Sequence, residues 1–117
     1  MSKENYKEDR PWGTFENLLD TDYCKVKQII IKPNQAPSYQ YHFKRSEVWV
    51  VVKGEGELKL NDNITQVTTG QIIHVPLEAK HQIKNNCDED LIFIEVQLGE
   101  YFGEDDIVRL EDNYGRV

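Results

Sequence analysis

The sequence predicts an all-β fold, an antiparallel sandwich or small barrel. Three observations predict it: the apolar stretches are short and rich in β-branched and aromatic residues, turn signals interrupt them at close intervals, and no segment shows a convincing helical period. At 117 residues the chain is one domain by length, spanning 1–117. A chain of this size buries about two-thirds of its unfolded surface, enough for a real core.

The runs TFENLL and YCKVKQIIIK come first and end at the turn KPNQ. SEVWVVVKG follows, and its core VWVVV reads as buried on both sides. GELKLN, NDN and ITQVTT alternate apolar with polar residues around a turn, which suits a hairpin with one wet face. QIIHVP and HQIKN flank the turn PLEAK, and LIFIEVQL follows NNCDED. The last segment, GEYFGEDDIVRLEDNYGRV, is more polar and reads as a strand and turn across the sheet or a short helix, its run EDD serving capping and solvation. Trp12, Trp49, Tyr39 and Tyr41 read as core aromatics, and His74 as strand filling.

Composition excludes several classes of function. With 14 basic against 21 acidic residues the net charge is -7, which argues against nucleic acid or an anionic membrane as partner. No apolar run approaches the roughly 20 residues needed to span a bilayer, and the start MSKENYKEDR lacks a signal-peptide apolar stretch, so a cytoplasmic location is expected. Cys24 and Cys87 stand far apart without metal or redox spacing and read as free thiols.

The chemistry concentrates in QYHFKRSE. Gln40 and His42 lie two apart and share one face of a strand, whereas Glu47 is out of phase, so a turn or bulge at FKRS must re-aim it. The turn PLEAK delivers His81 to the start of another strand. If the two segments are neighbours, two imidazoles, one carboxylate and one amide oxygen converge on a divalent cation, a set suited to zinc, iron, manganese, cobalt or nickel more than calcium. An unpaired buried Glu47 would be costly, which favours a cation beside it. Lys44, Arg45, Lys80 and Arg109 are the basic residues on or near these segments and are what an anionic phosphate would require.

Asn34, Gln40, His42, Glu47 and Gly54 keep every interval of the first cupin motif, and Gly70, Pro76, Glu78, His81 and Asn85 keep every interval of the second. The chain therefore resembles the cupins, which implies a double-stranded β-helix (jelly roll) and one divalent metal per chain, zinc first among the candidates, held by Gln40, His42, Glu47 and His81. Three positions depart from the pattern: Asn34 and Glu78 stand where glycine is usual, and Gln40 replaces the first histidine. Asparagine accepts positive φ, and a longer turn could spare Glu78 from it.

RPWGTFE, QYHFKRSEVWVVVKGEG and IEVQLGEYFGEDDIVRLEDNYGR carry a narrower resemblance, to the cupin domain of type II phosphomannose isomerases, often fused behind a mannose-1-phosphate guanylyltransferase. Phe43, Lys44 and Val48 replace histidines common in that family. The resemblance implies interconversion of mannose 6-phosphate and fructose 6-phosphate. Lys80 is then expected as a base desolvated beside the cation, Arg109 as the holder of phosphate or enediolate, and Lys44 and Arg45 as substrate-binding groups. With no nucleotidyltransferase half, GDP-mannose synthesis is not expected of this chain alone. The family likeness further implies a homodimer, with an edge strand around TFENLL as the contact. Alternatives are a cupin that binds a sugar phosphate or sugar nucleotide without turnover, and a cupin dioxygenase or epimerase using the same ligands.

Overall fold

The computed structural model describes residues 6–116. Among them eleven strands follow in order: β1 Lys7–Arg10, β2 Gly13–Asp20, β3 Cys24–Ile31, β4 Tyr39–Tyr41, β5 Arg45–Lys53, β6 Glu55–Leu60, β7 Asn63–Thr68, β8 Ile72–Val75, β9 His81–Lys84, β10 Leu91–Gly99 and β11 Val108–Glu111. They form a six-stranded sheet in the order β1-β2-β3-β10-β5-β8 and a five-stranded sheet in the order β11-β4-β9-β6-β7. All pairings are antiparallel. Every strand expected from sequence is present. The C-terminal segment resolves as turns and strand β11, not a helix.

Period two places the core. In β3 the inward residues are Lys25, Lys27, Ile29 and Ile31, and in β10 they are Leu91, Phe93, Glu95 and Gln97. Antiparallel register puts Ile29 beside Phe93 and Ile31 beside Leu91, but Lys27 beside Glu95 and Lys25 beside Gln97. Strand β5 extends both zones, with Val51 opposite Phe93, Trp49 opposite Glu95 and Glu47 opposite Gln97. The inner face of this sheet is therefore apolar at one end and charged at the other. Leu58, Val67 and Ile83 of the other sheet close over the apolar end with Trp12, Phe15 and Phe93 to form the core.

The hairpin β6–β7 forms as expected, with Leu60 paired to Asn63 across a two-residue turn. Asn61 (φ 46°) and Asp62 (φ 70°) both take the left-handed conformation that such a turn demands. Gly13 is required for a different reason, since a Cβ there would stand 1.9 Å from the Ile30 carbonyl oxygen.

Two expectations are corrected. VWVVV is not buried on both sides: Trp49 and Val51 point inward, Val48 and Val50 are half-buried and Val52 is exposed. TFENLL is not an edge, because β1 pairs along it from Lys7–Glu16 to Arg10–Gly13 and becomes the edge itself.

Candidate metal centre

His42 stands one residue past β4, and β5 begins at Arg45, so the chain bends at Phe43 and Lys44 between the two motif residues. This is the re-aiming bend that the out-of-phase Glu47 requires. Asp106 fixes it from another part of the chain. Its carboxylate accepts hydrogen bonds from the backbone N–H of Phe43 at 3.0 Å and of Lys44 at 2.9 Å, and its carbonyl accepts one from His42 Nδ1 at 2.6 Å. Within EDD, then, Asp106 is a buried clamp and not a solvating charge. Burial opposes its ionisation, but the two N–H donors hold its pKa below the ordinary value.

The second turn leads from Pro76 to His81, the first residue of β9. Its Glu78 takes φ 62°, and the Glu78 N–H donates to the His42 carbonyl at 2.9 Å, which ties the two motif turns together. His81 Nδ1 donates to the Ala79 carbonyl at 3.0 Å. Asn85 serves structure: its amide donates to the Ile31 and Glu89 carbonyls at 2.9 and 2.7 Å.

With each Nδ1–H engaged by a carbonyl, the lone pair of each imidazole resides on Nε2. One ligand atom each from His42, Glu47 and His81 lies within 4.8 Å of the others, and all three residues are buried. His42 Nε2 is 3.4 Å from Glu47 Oε2. Two neutral nitrogens and a carboxylate oxygen at such spacing fit a divalent ion with nitrogen and oxygen preference. Burial pushes the His42 pKa down to about 4 and lowers that of His81, so both are neutral and ready to ligate at pH 7. Burial works against the charge on Glu47, but His81, the Arg45 guanidinium and His42 outweigh it and hold the carboxyl well below the usual carboxylate range.

Gln40 faces the same space, directly across the strand pair from His81, and its Oε1 accepts a 3.3 Å bond from Ser38 Oγ. Arg45 is buried between the ligands: its Nε donates to Glu47 Oε2 at 2.9 Å and one terminal nitrogen lies 3.2 Å from His42 Nε2. The lone pair on His42 Nε2 can serve this guanidinium or a metal, not both, so an ion entering the triad competes with Arg45.

Of the triad, Glu47 and His81 line a cavity at the charged end of the sheet sandwich, about 720 Å³ including space open to solvent, while His42 is buried beside Glu47 and does not line it. Arg109 lines it, in register with Gln40 on the neighbouring strand. Lys80 does not. Its side chain is 40% exposed and its ammonium lies 3.2 Å from Asp62 Oδ2 on the outside of the turn, so the desolvated setting expected of a base beside a cation does not exist there. Lys44 is likewise corrected: it is exposed, its ammonium over the Tyr101 ring, because the bend that turns Glu47 inward turns Lys44 outward.

Sequence reasoning missed Lys27, Glu95 and Gln97, all buried at the charged end. Their signal was available, since each falls in phase with the buried apolar residues of its own strand. Glu95 lines the cavity, accepts a 2.7 Å bond from Gln97 Nε2, and has its pKa pushed up to about 8 by burial and then by the charge of Glu47.

Comparison with known proteins agrees with this geometry. The Klebsiella pneumoniae double-stranded β-helix protein superposes with a TM-score of 0.74 at 21% identity over 96% of this chain and 89% of that one, which shows the fold. The capsular polysaccharide assembling protein CapF of Staphylococcus aureus superposes with a TM-score of 0.81 at 25% identity over 94% of this chain and 33% of its own. In sequence, the xanthan biosynthesis protein XanB of Xanthomonas campestris pv. campestris is 43% identical over 92% of this chain and 23% of its own length. The mannose-1-phosphate guanylyltransferase ManC of Salmonella typhimurium is 39% identical over 100% of this chain and 24% of its own length. The chain thus spans about a quarter of the length of these curated relatives. The profile of one family, Mannose-6-phosphate isomerase C-terminal, matches residues 2–112. The chain is a cupin and belongs to the mannose-6-phosphate isomerase C-terminal family.

Proposed function

We propose that the chain is a cytoplasmic, metal-dependent aldose–ketose isomerase that interconverts mannose 6-phosphate and fructose 6-phosphate. The observation that carries this reading is the meeting of His42, Glu47 and His81, two of which line a cavity also walled by basic side chains, on a protein of net charge -7. Membership of the isomerase family supports it.

A divalent ion held by His42, Glu47 and His81, with Gln40 as a fourth donor, would supply Lewis-acid polarisation of the sugar carbonyl and hydroxyl oxygens. The chain itself does the remaining work. The reaction moves a proton between C2 and C1 through a cis-enediol, so it needs a group on the cavity wall that takes and returns that proton. Lys80 faces away; Glu95 lies on the wall beside Glu47 and takes this role in our reading. Arg45, between the ligands, donates to a substrate oxygen as negative charge develops, and Arg109 engages the anionic end of the sugar phosphate.

A second reading is a cupin that binds a sugar phosphate or sugar nucleotide without turning it over. It is favoured by Phe43, Lys44 and Val48, which replace histidines, and by the Arg45 guanidinium seated against His42 Nε2. A coupled assay for fructose 6-phosphate, run with and without added divalent metal, separates the two. Metal-dependent turnover is expected. Saturable binding of mannose 6-phosphate with no turnover would select the binding protein instead.

A further inference from the structure

Three guanidiniums line the cavity from segments outside the two cupin motifs: Arg10 ends β1, Arg109 lies in β11, and Arg116 follows β11. They are close enough to feel one another: burial, then the charge of Arg116 and further on that of Arg10, lower the pKa of Arg109, against a smaller opposing pull from Asp112 and Glu104. Two of them are held in place by carboxylates. Arg10 lies 2.6 Å from Glu8, and Arg116 donates to Asp112 through two nitrogens at 2.7 and 2.8 Å. Arg109 makes no ion pair among the described residues, and its Nε is buried without a hydrogen-bond partner.

A buried N–H donor left unbonded is costly, and the Arg109 Nε is such a donor. Each guanidinium carries five N–H donors in a planar fork, and Glu8 and Asp112 engage only part of those on Arg10 and Arg116. Position also matters. Arg109 is in register with Gln40, and Gln40 with His81, so β11 lies two strand spacings from the His81 backbone, roughly 10 Å away. A hexose 6-phosphate covers such a distance with its reacting carbons at the histidines and its phosphate at the arginines.

We propose that Arg10, Arg109 and Arg116 form a phosphate-monoester subsite, built by the two segments that flank the cupin motifs and separate from the metal triad. The assignment rests on the sugar-phosphate reading above and deepens it, because it joins Arg10 and Arg116 to Arg109, the phosphate holder expected from sequence, and places phosphate specificity outside the motif turns.

The test titrates folded protein with inorganic phosphate, mannose 6-phosphate, mannose and GDP-mannose. Wild type and His81→Ala should bind inorganic phosphate within about twofold of each other. Arg109→Gln should bind it at least tenfold more weakly, with Arg109→Lys intermediate and Arg10→Gln at least threefold weaker. Mannose 6-phosphate should follow the same order, and mannose should show no dependence on the arginines. Equal phosphate affinity across the arginine variants overturns the subsite, as does loss of phosphate binding in His81→Ala, which would put the anion on the metal. GDP-mannose binding tenfold tighter than mannose 6-phosphate overturns the monoester assignment. If phosphate affinity follows the arginines but wild type shows no turnover, the subsite stands and the isomerase reading falls. If wild type isomerises mannose 6-phosphate and the arginine variants keep its KM, the reverse holds.

Discussion

Glu78 takes φ 62° and Asn34 takes φ 62° at the two motif positions where glycine is usual. Asparagine tolerates this conformation, but a glutamate pays for it by bringing its Cβ against a carbonyl, at about 1–2 kcal/mol. The turn keeps the glycine-like geometry because the Glu78 N–H must reach the His42 carbonyl. Glu78→Gly should therefore raise the unfolding free energy by about 1 kcal/mol after the greater freedom of glycine in the unfolded chain is subtracted, read from urea midpoints; a loss would show that the Glu78 side chain holds the turn. Titration of the metal-free protein adds a second check. Burial depresses His42 from 6.5 to about 4, so its contribution, about 3 kcal/mol, is fully present above pH 6.5 and is lost as pH falls through 4. Glu95 has the opposite sign: its pKa is raised from 4.5 to about 8, so its contribution is complete below pH 4.5 and is lost as pH rises through 8. Stability should thus fall between pH 6.5 and 8, by roughly 1–2 kcal/mol, and Glu95→Gln should flatten that limb. A wild type and a Glu95→Gln variant with parallel limbs would contradict the assignment.

At the scale of elements, the bend between β4 and β5 decides whether the ligands meet, and Asp106 is what holds it. Removing its carboxylate as Asp106→Ala leaves two backbone N–H groups without their charged acceptor, at about 1.5–3 kcal/mol for such a bond. Metal affinity should drop more than tenfold in the same variant, because the carbonyl that orients His42 sits on the loosened residue. Chemical denaturation and a metal titration of one variant check both, and unchanged metal affinity would show that the bend is set elsewhere. The contrast with the sequence reading is physical. Strands β3, β5 and β10 were legible as β-branched and aromatic runs, although the continuous run VWVVV concealed the period-two alternation of β5. The bend was legible too, from the odd separation of His42 and Glu47. Its partner was not, since Asp106 is 64 residues from His42 and nothing local in EDD tells a clamp from a solvated charge. Strand β1 escaped for a related reason: its four residues, KEDR, are all charged, and it exists by pairing with β2 rather than by its own propensity.

Over the whole molecule, one sheet face changes from apolar to charged along its length, so a single sandwich holds a core at one end and a site at the other. The motif intervals made His42, Glu47 and His81 legible, while Lys44 and Lys80 were misplaced because adjacency to a ligand in sequence does not fix which side of a turn a side chain takes. A triad that binds metal only in the folded state must stabilise the fold by mass action. At a hundredfold excess over Kd the gain is about 2.7 kcal/mol, expected for wild type with zinc or cobalt and absent in His81→Ala. Both proteins gaining equally would place the ion elsewhere. Whether this triad makes the chain a mannose 6-phosphate isomerase is decided by the rate of fructose 6-phosphate formation against metal bound per chain during stepwise reconstitution of the chelated protein. The rate should rise linearly from zero and saturate at one ion per chain in wild type, with no rate in His81→Ala. Turnover in the metal-free protein, or a fully loaded wild type that binds mannose 6-phosphate and produces nothing, would contradict it.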